Sequence, residues 1–237
     1  MATILNETQR KSLRMAGVLY LLMAISAPIG LVYVPSKLIV SGDATKTADL
    51  IRASESLFRI GIGSELFHQA IVVFLVLALY RLFKPVNEYQ AKLLVVLGAL
   101  VSVPIMFLNV LNEIAALILL SGADFLSSFD NNQLDTLAFL FVRLHEQGIN
   151  IAAIFWGLWL FPFGILVIRS VFIPRILGYL LFAAGFGNVI DSITSLIMPQ
   201  YANAVGQVAL VLEMVELPIV FWFIIRAIWP PRLKATV

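Results

Sequence analysis

The side chains best suited to metal or acid–base chemistry in this chain are two histidines, His68 and His145, and the carboxylates Glu65, Glu113, Glu146, Asp191, Glu213 and Glu216. Their spacing groups them. Glu65 precedes His68 by three residues and Gln69 by four, Asn109 precedes Glu113 by four, Asn188 precedes Asp191 by three, and Glu213 precedes Glu216 by three. On a helix each set lies along one face. Cysteine is absent, which excludes thiolate metal sites, iron–sulfur clusters, covalently attached haem and disulfides. A divalent metal held by imidazole and carboxylate remains open. Two histidines are too few for a three-histidine zinc site, and as axial ligands of a haem b they would leave its propionates among acids, so haem is disfavoured.

The elements that carry these groups are hydrophobic spans. Of 237 residues, 61% are hydrophobic and 13% charged, and mean hydropathy is +0.97. A soluble domain needs far more polar surface. Apolar runs near 15–34, 58–83, 93–120, 149–168, 176–197 and 207–228 each reach or exceed the roughly 20 residues that cross a bilayer. The expected fold is therefore an all-α integral membrane protein, a bundle of six transmembrane helices forming one domain over 1–237. Arg10, Lys11 and Arg14 ahead of the first run imitate a signal peptide, but a run of about 20 residues exceeds a signal core and is expected to stay as a span. A net charge of +2, with the basic residues dispersed, gives no sign of nucleic-acid binding. The partner is the lipid bilayer, and the oligomeric state is not legible.

Orientation follows the Lys/Arg bias of short connections. Arg10, Lys11 and Arg14, then Arg81, Lys84 and Lys92, then Arg169 and Arg175, and lastly Arg226, Arg232 and Lys234 mark alternate connections and both termini as cytoplasmic. The opposite face holds the loops 35–57 and 121–135 and the turn 198–206. Lys37, Lys46, Arg52 and Arg59 dissent, accompanied by Asp43, Asp49 and Glu55. In that first outer loop Asp43 and Thr45 are helix-cap residues, and Leu50, Ile51, Ser54, Leu57 and Phe58 recur at helical spacing, predicting a short interfacial helix.

With this topology the polar residues gather toward one end of their spans. Glu65 and His68 lie about 10 to 15 Å below the outer end of the second span, with Asn109, Asn112, Glu113, His145, Asn150, Asn188, Asp191, Ser192, Glu213 and Glu216 at outer depths of theirs. Ionisable groups there are costly unless they face water or one another, so they predict an outward-facing polar pocket above an apolar plug. Simple interhelical hydrogen bonding, worth about 1 kcal/mol or less each, is the alternative for Asn109, Asn150, Asn188 and Ser192, and Arg143 can bridge Glu146 one turn on. Spans two and three also echo spans four and five, each pair having His near the start, a basic proline-bearing turn, then Asn and an acid. Internal repeats of this kind place binding groups at the repeat interface. On that pattern His68, Glu113, His145 and Asp191 are the expected metal ligands, with Glu65, Glu146, Glu213, Glu216 and Arg143 as further ligand-binding or charge-balancing residues.

The order of several short motifs carries a family resemblance. Ser41-Gly42-Asp43, Leu57-Phe58-Arg59, Leu144-His145 with Gly148, Pro174-Arg175-Ile176-Leu177-Gly178, Asp191-Ser192 and Glu216-Leu217-Pro218 with Trp222 resemble the bacterial membrane family catalogued as domain of unknown function 4386. The resemblance covers nearly the whole chain and implies a multi-pass protein of the bacterial cytoplasmic (inner) membrane. It implies no activity.

The functional classes left open are binding or transport of a cation or small polar solute, an intramembrane metal-dependent hydrolase, and an accessory or sensory membrane protein without ligand chemistry. Binding or transport fits the carboxylate-rich pocket best, with Pro104, Pro162 and Pro218 as helix irregularities that permit motion. No glycine-rich phosphate loop, nucleophile elbow or HExxH helix occurs, so nucleotide-driven or serine-hydrolase chemistry is not encoded by those motifs.

Overall fold

The computed structural model describes residues 5–229. Arg232 and Lys234, counted above as cytoplasmic markers, lie outside the described residues. Among these residues there is no β-strand, and six helices are long and apolar enough to cross a membrane. They are α1 (Glu7–Leu38), α3 (Glu55–Phe83), α4 (Glu88–Leu119), α5 (Asn131–Arg169), α6 (Arg175–Ile197) and α7 (Pro199–Ile228). The short α2 (Ala44–Ala53) precedes α3. The chain is an all-α, multi-pass integral membrane protein.

Side-chain caps fix where these helices begin. Asn6 and Gln9 cap α1 reciprocally, each side-chain oxygen accepting from the other's backbone N–H. Asp130 and Gln133 do the same for α5 at 2.9 and 3.0 Å, which satisfies donors that the first turn would leave bare. Asp43 accepts from Lys46 N at 2.9 Å to start α2 as expected, and Gly42 supplies the turn before it at φ 75°. Thr45, the other expected cap residue, lies inside α2.

Helix α5 begins well before the span expected near 149–168. It runs for 39 residues, about 58 Å at 1.5 Å rise per residue and far more than the ~30 Å of hydrocarbon in a bilayer. Leu134, Ala138, Val142 and His145 fall on one buried face of this extension.

Three of the spanning helices are irregular, each beside a proline. A π-helical segment, Ile29–Tyr33, follows Pro28 in α1, and another, Val96–Val101, precedes Pro104 in α4. Proline lacks the N–H that would bond four residues back, so the Leu100 carbonyl, within the second segment, cannot receive the usual α-helical bond from position 104. In α7 the helix stops at Met214 and restarts at Leu217, beside Pro218. Pro162 lies inside α5, which continues through it.

The described residues form two compact units. The first comprises 5–23, 71–104 and 150–229. Its interior is apolar: Leu75, Leu79, Leu82, Phe83, Leu94, Phe163 and Phe223 are essentially inaccessible, and Phe83 meets the rings of Phe163 and Phe172 at 5.8 and 5.9 Å. Here α5 and α6 touch through glycines. A Cβ at Gly157 would stand 2.7 Å from the Gly185 carbonyl, and one at Gly164 would stand 2.9 Å from that of Gly178. Small residues at such points let membrane helices approach closely. Three of its buried serines bond to their own helix or turn, Ser102 to Gly98 O, Ser170 to Val167 O and Ser192 to Asn188 O.

The second unit comprises 24–70 and 105–149. It too has an apolar core, with Val34, Leu38, Ile51, Phe58, Val110, Ala116, Ala138 and Val142. It also buries two glutamates, an aspartate and a histidine: Glu65, Glu113, Asp135 and His145. Asp135 is paired with Arg52 of α2 at 2.5 Å, an ion pair that fastens α2 to the extended start of α5.

Candidate functional site

Three helices of the second unit bring Glu65, Glu113 and His145 together. Glu65 lies on α3, Glu113 on α4 and His145 on α5, and all are at least nine-tenths buried. His145 Nε2 stands 3.1 Å from Glu65 Oε2 and 3.8 Å from Glu113 Oε2. Among the described residues this is the group in which three atoms able to ligate a metal all lie within 4.8 Å of one another. The helical spacing of their neighbours explains the supporting contacts. Asn109, one turn before Glu113, donates from Nδ2 to the His145 carbonyl at 2.9 Å, and Asn112 donates to Asn109 Oδ1 at 3.1 Å. These bonds tie α4 to α5 at the histidine.

Two glycines make the approach of backbones feasible. A Cβ at Gly148, one turn after His145, would overlap the Asn109 amide. At Gly30, within the π-helical segment of α1, a Cβ would lie 2.7 Å from Glu65 Cγ. A wider turn and the absence of a side chain together let α1 lie directly on the glutamate, and π segments of this kind recur at functional sites.

The cluster is under-satisfied. Glu65 Oε1 and Glu113 Oε2 are buried and without a hydrogen-bond partner. With both carboxylates ionised and the imidazole neutral, the group carries two negative charges out of water. Such a burden is stable only with a compensating cation or bound protons. Arg143 does not supply the charge, because it pairs with Glu146 on the exposed side of α5, as the one-turn spacing suggested.

The remaining sequence-derived candidates occupy other surroundings. His68 is one turn beyond Glu65, and its Nδ1 lies 3.2 Å from Ser26 Oγ on α1, while Ser64 donates to the Ser26 carbonyl at 2.8 Å. A crevice of about 170 Å³, too narrow for a water-sized sphere, is lined by Ser26, Ala27, Leu31, Glu65, His68 and Gln69. Asp191, Glu213 and Glu216 belong to the first unit. There Asp191 lies against Gly206, where an added Cβ would meet its Oδ1 at 3.3 Å. Glu213 is within electrostatic reach of Asp191, and Glu216 of Glu213. Asn188 and Ser192 bond to backbone carbonyls of α6.

The sequence alone assigns no role to Gly30 or to the Arg52–Asp135 pair, and it makes Glu65 a partner of the ligands. Gly30 carried one signal, a glycine just after Pro28 in an apolar run. The ion pair carried none, since its members are 83 residues apart.

Comparison with known proteins adds a family and no activity. No curated protein and no solved structure matches the chain. The model described as "Domain of unknown function (DUF4386)" matches residues 15–229, nearly the whole chain, and the protein belongs to that family.

Proposed function

We propose that this membrane protein binds a divalent cation at Glu65, Glu113 and His145, and that the cation is its cargo or its regulator. The observation that carries the reading is that Glu65 and Glu113 flank His145 Nε2 and that each keeps one buried carboxylate oxygen, Glu65 Oε1 and Glu113 Oε2, without a hydrogen-bond partner. Charge balance supports it. Two carboxylates and a neutral imidazole around one divalent ion sum to zero, which lowers the cost of keeping the group inside a membrane. The donor set, oxygen and imidazole nitrogen without sulfur, suits zinc, manganese or ferrous iron better than cuprous copper. Interrupted helices are a recurrent means of moving such ions, and α1, α4 and α7 are interrupted.

The proposal includes the topology read from the Lys/Arg distribution, with cytoplasmic termini and the site toward the outer face of a bacterial inner membrane. Metal-dependent hydrolysis is the second reading. Three protein ligands leave a coordination position for water, as catalytic zinc sites do. The narrowness of the adjoining crevice favours binding over hydrolysis, because a substrate must reach the metal.

The test is metal analysis of purified protein after exposure to zinc or manganese, followed by dialysis. Near-stoichiometric retention is expected for the native chain, and loss for Glu113→Gln and Glu65→Gln, which keep the shape and remove the charge. Equal retention by all three proteins would overturn the proposal.

A further inference from the structure

A cavity of about 490 Å³ opens between the Glu55 end of α3 and the Leu119 end of α4 in the second unit. Its walls are apolar over most of their area, with Ile62 and Gly63 on one side and Ile114 and Leu117 on the other. Polar groups appear at one end only. Arg59 lies in the second turn of α3 and Ser121 just past α4, beside Phe125. From Ile114 to Ser121 is about 10 Å along the helix axis. The groove therefore has a cationic, hydroxyl-bearing mouth at the helix ends and an apolar channel running along the helices toward their middles.

We propose that this groove holds an anionic phospholipid, its phosphate on Arg59 and Ser121 and part of one acyl chain against Ile62, Gly63 and Ile114. The polarity order matches that of a lipid standing in a bilayer, headgroup at the helix ends and tail inward. Charge complementarity selects an anionic lipid, since Arg59 is the only charged residue of the lining. Its bond to Glu55 at 2.7 Å joins two largely exposed side chains, an arrangement of little worth in water. A phosphate, which the guanidinium fork fits in bidentate fashion, can displace it. The volume falls in the range of small-molecule sites. Gly63 leaves room for the chain, since a Cβ built there meets nothing within 4 Å.

That open position supplies the test. Gly63→Leu sends a side chain into the channel from a Cβ that meets no neighbour within 4 Å and replaces a poor helix former with a good one. It also lies roughly 200° around α3 from Glu65, so its effect is separable from the metal site. Full-length protein in mild detergent is titrated with phosphatidylglycerol and, separately, phosphatidylcholine, and bound lipid is counted by native mass spectrometry. The native chain is expected to retain one phosphatidylglycerol with a roughly fivefold preference over phosphatidylcholine. Gly63→Leu should lose both lipids, and Arg59→Gln should lose the preference. Arg59 is exposed, so its variant stays folded and keeps the test decisive if Gly63→Leu proves unstable. Native-level binding by Gly63→Leu, or an undiminished preference in Arg59→Gln, would overturn the proposal.

Discussion

Replacing Gly148 by alanine tests whether the junction of α4 and α5 is built as described. The new methyl group must occupy space held by the Asn109 amide. Asn109 then rotates away and gives up its bond to the His145 carbonyl and the one it accepts from Asn112. Each bond is worth about 1 kcal/mol net, and overpacking a tight contact costs about 1 to 3 kcal/mol. Alanine returns about 1 kcal/mol through its better helix propensity. The balance is a destabilisation of about 2 to 4 kcal/mol, the sum of those terms. Equilibrium unfolding in detergent micelles measures it. A second substitution sharpens the test, because Asn109→Ala removes the atoms that Gly148→Ala strikes. The double variant should be no less stable than Asn109→Ala alone, a strongly non-additive result for residues in direct contact. If the two changes simply add, Gly148 and Asn109 do not meet and α4 and α5 are joined in some other way.

Arg52→Ala leaves the Asp135 carboxylate buried without its cation. Breaking a fully buried pair costs about 3 to 5 kcal/mol, but Arg52 remains about a third open to solvent, so about 1 to 3 kcal/mol is expected; denaturation of this variant beside Arg52→Ala/Asp135→Asn checks it, and the double variant should recover part of the loss. Gly164→Val places a branched side chain where the Gly178 carbonyl lies and should prevent α5 and α6 from packing, seen as loss of monodisperse protein on size exclusion. A cysteine at Ser128, in a chain with no other cysteine, should react with an impermeant thiol reagent on intact cells; reaction only after the cells are opened would reverse the proposed topology.

The parts of this structure that could be read in the sequence are those set by local physics. Six apolar runs dictated six spans, and Asp43 with Leu50 and Ile51 announced α2. The Leu134, Ala138 and Val142 series held the extension of α5 at helical spacing, but the polar residues among them concealed it. For the site, helical spacing limited the candidates to short stripes, each containing its carboxylate or histidine. Which stripes meet depends on helix rotation and close approach, and those are fixed by tertiary contacts such as Gly30 on Glu65 and Gly148 on Asn109. A π segment adds a further obstacle, since its wider turn shifts every later residue of α1 to a new angular position. Hence His68 and His145 looked equivalent in the sequence, although His145 faces two carboxylates and His68 faces Ser26.

The most direct test of the central claim is X-ray absorption at the zinc edge on protein loaded with one equivalent of zinc. A site made by Glu65, Glu113 and His145 predicts a shell of oxygen and nitrogen only, at about 2.0 to 2.2 Å, with the scattering signature of a single imidazole. Loss of that imidazole signature in His145→Gln, with the signature intact in His68→Gln, completes the expected result. A protein that retains no zinc, or a shell containing two imidazoles, would contradict it.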